Sequence, residues 1–174
     1  WLALENRDKW MPGIAAAMGH EVELWGVDHA TSDHHCALSG FGGYPIRLFA
    51  RTGGGRKTKF QYSDALVEHA RRFQPDLVIL KGVDGGMGRR LIEEYLRPER
   101  KDFAVVIGGD VYYDRHMAYA QTIFYESDKQ RTWLQHPGWR FWRSPVRSER
   151  LIRLPKSIDT ERFRPIPEIK KEWD

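Results

Sequence analysis

Two short apolar runs, Leu77-Val78-Ile79-Leu80 and Ala104-Val105-Val106-Ile107, set the pattern around which the chain is organised. Neither alternates with polar residues and both are rich in Val, Ile or Leu, which predicts strands buried on both faces. Between them, residues 88–96 put Leu91, Ile92, Tyr95 and Leu96 on one helical face and Arg89, Arg90, Glu93 and Glu94 on the other, and Pro98 marks the stop. Strand, helix and strand in this span predict a right-handed βαβ unit and so a parallel sheet. Each run ends in glycine plus acid, Gly82-Val83-Asp84-Gly85-Gly86 and Gly108-Gly109-Asp110. In an open α/β sheet such turns fall at the carboxyl ends of neighbouring strands, where ligands bind.

The pattern extends in both directions. Trp1-Leu2-Ala3-Leu4 reads as a strand, and residues 9–18 as a helix with Trp10, Ile14, Ala17 and Met18 on one face. Pro12 is tolerable in its first turn and Gly19 closes it. His20 is a turn residue at the corner before a second strand at 21–25. Residues 28–43 have no periodicity and are expected to form a long loop. Further strands are expected at 44–49, 122–125 and from Leu151, and helices at 62–73, 111–120 and 129–135, the last capped by Ser127. The expected fold class is α/β: a three-layer Rossmann-like domain over residues 1–165, with a mainly parallel sheet of about seven strands, followed by the start of a linker at 166–174.

Composition narrows the function classes. The chain has 174 residues, 41% hydrophobic and 30% charged, which suits one globular domain and argues against disorder. No apolar run approaches membrane-spanning length, and the first residues are not signal-like. The single cysteine, Cys36, excludes a disulfide framework and favours a reducing compartment, so a cytoplasmic location is expected. A net charge of +4 and a pI of about 9.2 tilt the choice of partner towards anions.

Three stretches carry candidate chemistry. Asp28, His29, Asp33, His34, His35 and Cys36 include zinc-type ligands, but adjacent His34, His35 and Cys36 do not converge easily on one ion, and no metal site is expected. Arg51-Thr52-Gly53-Gly54-Gly55-Arg56-Lys57-Thr58 follows a strand, yet Arg56 and Ala50 stand where a Walker A motif needs glycine. It remains either a basic, glycine-rich anion loop, with Gly54, Gly55, Arg56 and Lys57 as its candidates, or a surface connection. Residues 131–150 hold five arginines and three tryptophans, a mixture suited to nucleic acid, to a lipid surface, or to plain packing.

Leu151-Ile152-Arg153-Leu154-Pro155-Lys156-Ser157-Ile158-Asp159-Thr160-Glu161-Arg162-Phe163-Arg164-Pro165 closely resembles the "I-P-N-G-I-D-x-x-x-F-x-P" strand-to-linker signature of family 4 glycosyltransferases of the GT-B fold. Gly19-His20-Glu21-Val22 looks like that family's "G-H-E/D-V" corner. Gln74-Pro75-Asp76-Leu77-Val78 is similar to its "P-D-V-V/I" strand, and Thr122-Ile123-Phe124-Tyr125-Glu126-Ser127 with Gln130 and Leu134 resembles its "I-I-x-x-S-x-x-x-x-x-x-L" strand and helix. The matches run along the chain in family order. There are departures: Glu5–Lys9 replaces a Gly-Gly loop, Gly108-Gly109-Asp110 is closer to the "G-S-D" variant than to a terminal histidine, and Lys156-Ser157 replaces Asn-Gly.

The resemblance implies the N-terminal, acceptor-side half of an enzyme that moves a sugar from a nucleotide-sugar, with no further cofactor. The donor-binding second half would begin where residues 167–174 end this chain, so the chain alone is expected to be inactive. Asp110 and His116 become the candidate catalytic groups, and Asp84, Gly85, Gly86 and Gly109 join the glycine-rich loop as candidate acceptor or cleft residues. Partners implied are the nucleotide-sugar, a glycan or lipid-linked acceptor, and an anionic membrane met through Arg140, Trp142, Arg143 and Arg147; nucleic acid is not expected. The alternative is a stand-alone, non-enzymatic Rossmann-like module binding a nucleotide or anionic sugar.

Overall fold

A computed structural model describes residues 7–28, 34–37, 43–109, 113–136 and 145–154. The expected strand at 1–4, Asp110, and the linker-like segment from Pro155 onward lie outside the described residues. So do Arg140, Trp142 and Arg143.

The elements follow in the order α1 (Arg7–Ala17), β1 (Leu24–Asp28), β2 (His34–Ala37), β3 (Pro45–Ala50), α2 (Asp64–Phe73), β4 (Leu77–Lys81) and α3 (Gly86–Leu91). They continue with β5 (Asp102–Val106), β6 (Thr122–Tyr125), α4 (Asp128–Gln135) and β7 (Leu151–Arg153). β4, β5, β6 and β7 lie side by side in that order, all parallel, with Val78 opposite Phe103, Val105 opposite Ile123 and Phe124 opposite Ile152. The βαβ unit expected from the two apolar runs is therefore present, and β5 sits inside the sheet with Phe103, Ala104, Val105 and Val106 all buried.

Among the described residues the strands pair in two sets: beside β4-β5-β6-β7, β1, β3 and β2 make a second one, parallel between β1 and β3 and antiparallel between β2 and β3. Two expectations need correction. The expected long loop at 28–43 contains β2, which pairs with β3 through its backbone and needs no apolar periodicity. In addition, β4 is not buried on both faces. Val78 and Leu80 are buried in the shared core, but Leu77 is 53% and Ile79 48% exposed.

Local sequence explains the rest. α3 runs on into a π turn at Ile92–Leu96, where Arg97 N–H reaches the Ile92 carbonyl, five residues back, at 3.0 Å. The wider turn keeps Leu91, Ile92, Tyr95 and Leu96 all buried. The short helix expected at 111–120 is a 3₁₀ turn, Arg115–Tyr119, capped by Asp114. α2 starts two residues later than expected because Tyr62 pairs with Gly53 in an isolated antiparallel bridge.

One core joins the two sheets. Phe49 of β3, Leu66, Val67 and Ala70 of α2, Val78 and Leu80 of β4, and Phe103 and Val105 of β5 belong to the same buried cluster, with Trp25 and Val27 of β1 packed against it. No helix among the described residues is long and apolar enough to cross a membrane.

Candidate functional site at the strand carboxyl ends

The two glycine turns after β3 and β4 meet through a third piece of chain. Thr52 and Gly53 N–H both donate to the Tyr62 carbonyl, and Tyr62 N–H returns to Gly53, closing residues 54–61 into a loop. That loop lies against α3. A Cβ on Gly54 would come within 2.2 Å of the Phe60 carbonyl oxygen, and one on Gly86 within 2.2 Å of the same atom. A Cβ on Gly85 would stand 2.8 Å from the Lys59 carbonyl oxygen. Gly54 also has φ of +98°, a conformation that glycine adopts at least cost. These glycines are required by protein backbone approaching protein backbone. Gly55, by contrast, has open space where a Cβ would be.

The charged candidates sit on the outside of this arrangement. Arg56 and Lys57 are exposed. Lys59 Nζ lies 3.7 Å from Asp84 Oδ2, with both side chains about half exposed, and over the Phe60 ring. Behind them, Arg90 stacks on Tyr62 with 4.1 Å to the ring centroid and pairs with Asp64 and Glu94, each at 2.8 Å. At the base of the loop, Gln61 and Ser63 are 3% and 0% exposed, and among the described residues neither the Gln61 carboxamide nor the Ser63 hydroxyl has a hydrogen-bond partner. Nothing in the local sequence singled out these two.

At the ends of β5 and β6 the geometry is tighter. Gly109, at φ of +72°, donates its N–H to Glu126 Oε2 at 3.4 Å and accepts at its carbonyl from Gln130 Nε2 at 3.3 Å. Gln130 also closes a capping box with Ser127 at the head of α4 and accepts from Glu126 N–H at 2.7 Å. One buried amide thus fixes both the helix start and the glycine turn. The Ser127 cap was legible in the sequence; the second job of Gln130 was not.

His116 is 2% exposed and lies between two carboxylates. Its Nδ1 lies 2.5 Å from Asp114 Oδ1 and its Nε2 2.9 Å from Glu93 Oε1. Asp114 also accepts from Arg89 at 2.7 Å, and Glu93 from Arg115 at 3.3 Å. Burial pushes the Asp114 carboxyl up, but the His116 N–H, Arg89 and the imidazole outweigh it and hold it below its ordinary value. Glu93 is lowered chiefly by its bond to His116. The network pins the 3₁₀ turn to the π turn. Arg150 reinforces it by donating to the carbonyls of Met117 and Ala118, at 3.0 and 3.2 Å, and to that of Ala120.

Two cavities among the described residues, of about 240 and 350 Å³, lie at the opposite, amino ends of the strands. One is lined by residues that precede β1 and β3, the other by the approach to β6 with Arg147 and Arg150. Arg147 itself is exposed and paired with Glu149 at 3.2 Å. Among the described residues no group of three or more His, Cys, Asp or Glu is placed to hold a metal ion.

The structure therefore brings Gly54, Gly85 and Gly86 together, sets Asp84 beside them, and carries Gly109 at the end of the adjacent strand β5 on the same carboxyl edge. His116 has its contacts with Asp114 and Glu93 instead. What this edge offers chemically is a set of exposed cations and glycine turns along one open wall. No protein-family profile, no curated protein and no solved structure matches this chain.

Proposed function

We propose that this chain is the acceptor-side half of a glycosyltransferase of the GT-B, family 4 type. The observation that supports this most is the run β4-β5-β6-β7, parallel and in chain order, with Gly82–Gly86 and Gly108–Gly109 at the carboxyl ends of adjacent strands. In this reading those turns line the acceptor, and Asp110 orients its hydroxyl. His116, enclosed by Asp114 and Glu93, acts by anchoring the segment that leads from the Gly109 turn to β6. The donor half supplies the cations and helix ends that meet the charge of the departing diphosphate, and the reaction proceeds when the two halves exclude water around it.

The finer fold reading, one sheet of about seven strands, belongs to this proposal. Among the described residues β1 pairs with β3 alone and β4 with β5 alone, so each leaves one edge for a strand such as 1–4, and the shared core under α2 favours a continuous sheet. A cytoplasmic, membrane-peripheral setting with Arg140, Trp142, Arg143 and Arg147 against anionic lipid completes the proposal.

The test is titration calorimetry of the chain against UDP- and GDP-sugars. No saturation is expected at micromolar concentrations, while glycan acceptors should shift the amide resonances of 82–86 and 108–109. Tight, saturable nucleotide-sugar binding would instead identify a stand-alone binding module.

A further inference from the structure

We infer that residues 54–60 are a strap that swings about the Gly53–Tyr62 bridge and, when open, lets Gln61 and Ser63 beside the head of α2 bind an oxyanion, a phosphate or a carboxylate. The inference holds whether or not the chain transfers sugar. It starts from the orphaned groups. Among the described residues, both polar atoms of the Gln61 carboxamide and the Ser63 Oγ are buried without a partner, a condition that folded proteins rarely keep without a use for it. Ser63 stands at the N-cap of α2 in extended conformation, yet makes no cap bond; Thr52 Oγ1 takes the Asp64 N–H instead, at 3.0 Å. Ser63 is thus left over at a ten-residue helix terminus.

The strap is held lightly. Among the described residues its one backbone hydrogen bond is internal, Phe60 N–H to the Lys57 carbonyl at 2.9 Å, and the ladder to the rest of the chain stops at Gly53 and Tyr62. Its body rests on Gly54, Gly85 and Gly86 by contact, and on the half-exposed Lys59–Asp84 pair at 3.7 Å. Its base is firm, because Arg90 clamps Tyr62 and Asp64. A firm base and a lightly seated body make a hinge.

The chemistry of what opening uncovers selects the ligand. An amide NH₂, a hydroxyl and the first-turn N–H groups of α2 after Asp64, whose own N–H Thr52 holds, are donors, and the helix dipole favours negative charge there. Arg56, Lys57 and Lys59 travel on the strap itself, and the nearby carboxylates Asp64 and Asp84 are already paired with Arg90 and Lys59.

The experiment is hydrogen exchange by mass spectrometry on the full chain, titrated with inorganic phosphate and, in a second arm, acetate. Wild type should show saturable protection across residues 54–66 with phosphate; a matching response to acetate extends the site to carboxylates. Gln61→Leu should melt no lower than wild type, since it removes an unpaired amide. It should weaken the phosphate response by about tenfold, the loss of one hydrogen bond to an anion. Ser63→Ala should weaken it similarly and serves alone if Gln61→Leu does not fold. The inference is overturned by a clear drop in melting temperature for folded Gln61→Leu, which would mean that the amide is paired. It is equally overturned if neither anion protects the strap, or if both variants keep the full phosphate response, which would leave only the exposed Arg56, Lys57 and Lys59.

Discussion

Glu23 shows how much a single side chain can organise. Its carboxylate, 6% exposed, accepts from Trp25 Nε1 at 2.7 Å, Arg47 Nε at 2.8 Å and His69 Nε2 at 2.7 Å, joining the approach to β1 with β1, β3 and α2. Burial raises its pKa, but Trp25, His69 and Arg47 together outweigh burial and leave it below the ordinary value. The sign follows: a depressed carboxyl stabilises the fold above its unfolded pKa, about 4.3, and that contribution is lost as pH falls through the folded value. Glu23→Gln should therefore cost roughly 1–3 kcal/mol at pH 7 and flatten the loss of stability in acid, read by urea unfolding between pH 7 and 3. An unchanged acid limb would show that the carboxylate is not the titrating partner. None of this was legible in the sequence, because Glu23 lies 24 and 46 residues from Arg47 and His69 and forms no local motif with them. Residues that act through long-range pairs, as Glu93, Asp114 and His116 also do, are hidden from spacing arguments.

At the scale of elements, apolar runs were good guides and glycines were ambiguous ones. β5, β6 and the buried face of α3 follow directly from their side chains, whereas β2 depends on backbone pairing and carries no such signal. Sequence marks Gly54, Gly85 and Gly86 as candidate ligand-facing glycines, but it cannot tell whether a ligand or another piece of backbone comes close to them. Here the strap does. A Cβ at Gly86 would have to displace the Phe60 carbonyl, so Gly86→Ala should cost about 2 kcal/mol or more, while Gly55→Ala, with nothing within 4 Å, should stay within about 0.5 kcal/mol. Thermal unfolding of the pair decides it. Equal effects would mean that the strap is not seated on α3.

At the scale of the molecule the question is whether two sheets behave as one body. The parallel α/β class was legible because strand, helix and strand recur; the break between β1 and β4 was not, since edge pairing leaves no mark on composition. Packing argues for unity. α2 is the shared floor: Leu66, 2% exposed, lies in the cluster that also holds Phe49 of β3 and Val78 and Leu80 of β4, with Trp25 and Val27 of β1 against it. His69 strengthens the join, meeting the Trp25 ring edge-on at 5.2 Å and the Phe49 ring at the same distance. A cavity under α2 should then loosen both sheets at once. Leu66→Ala is expected to cost about 2–5 kcal/mol. Native-state hydrogen exchange should show protection falling by a common factor in Leu24–Asp28, Pro45–Ala50 and Leu77–Lys81, as one cooperative unit requires. If only Leu77–Lys81 loses protection, the sheets unfold separately and the continuous-sheet reading falls with them.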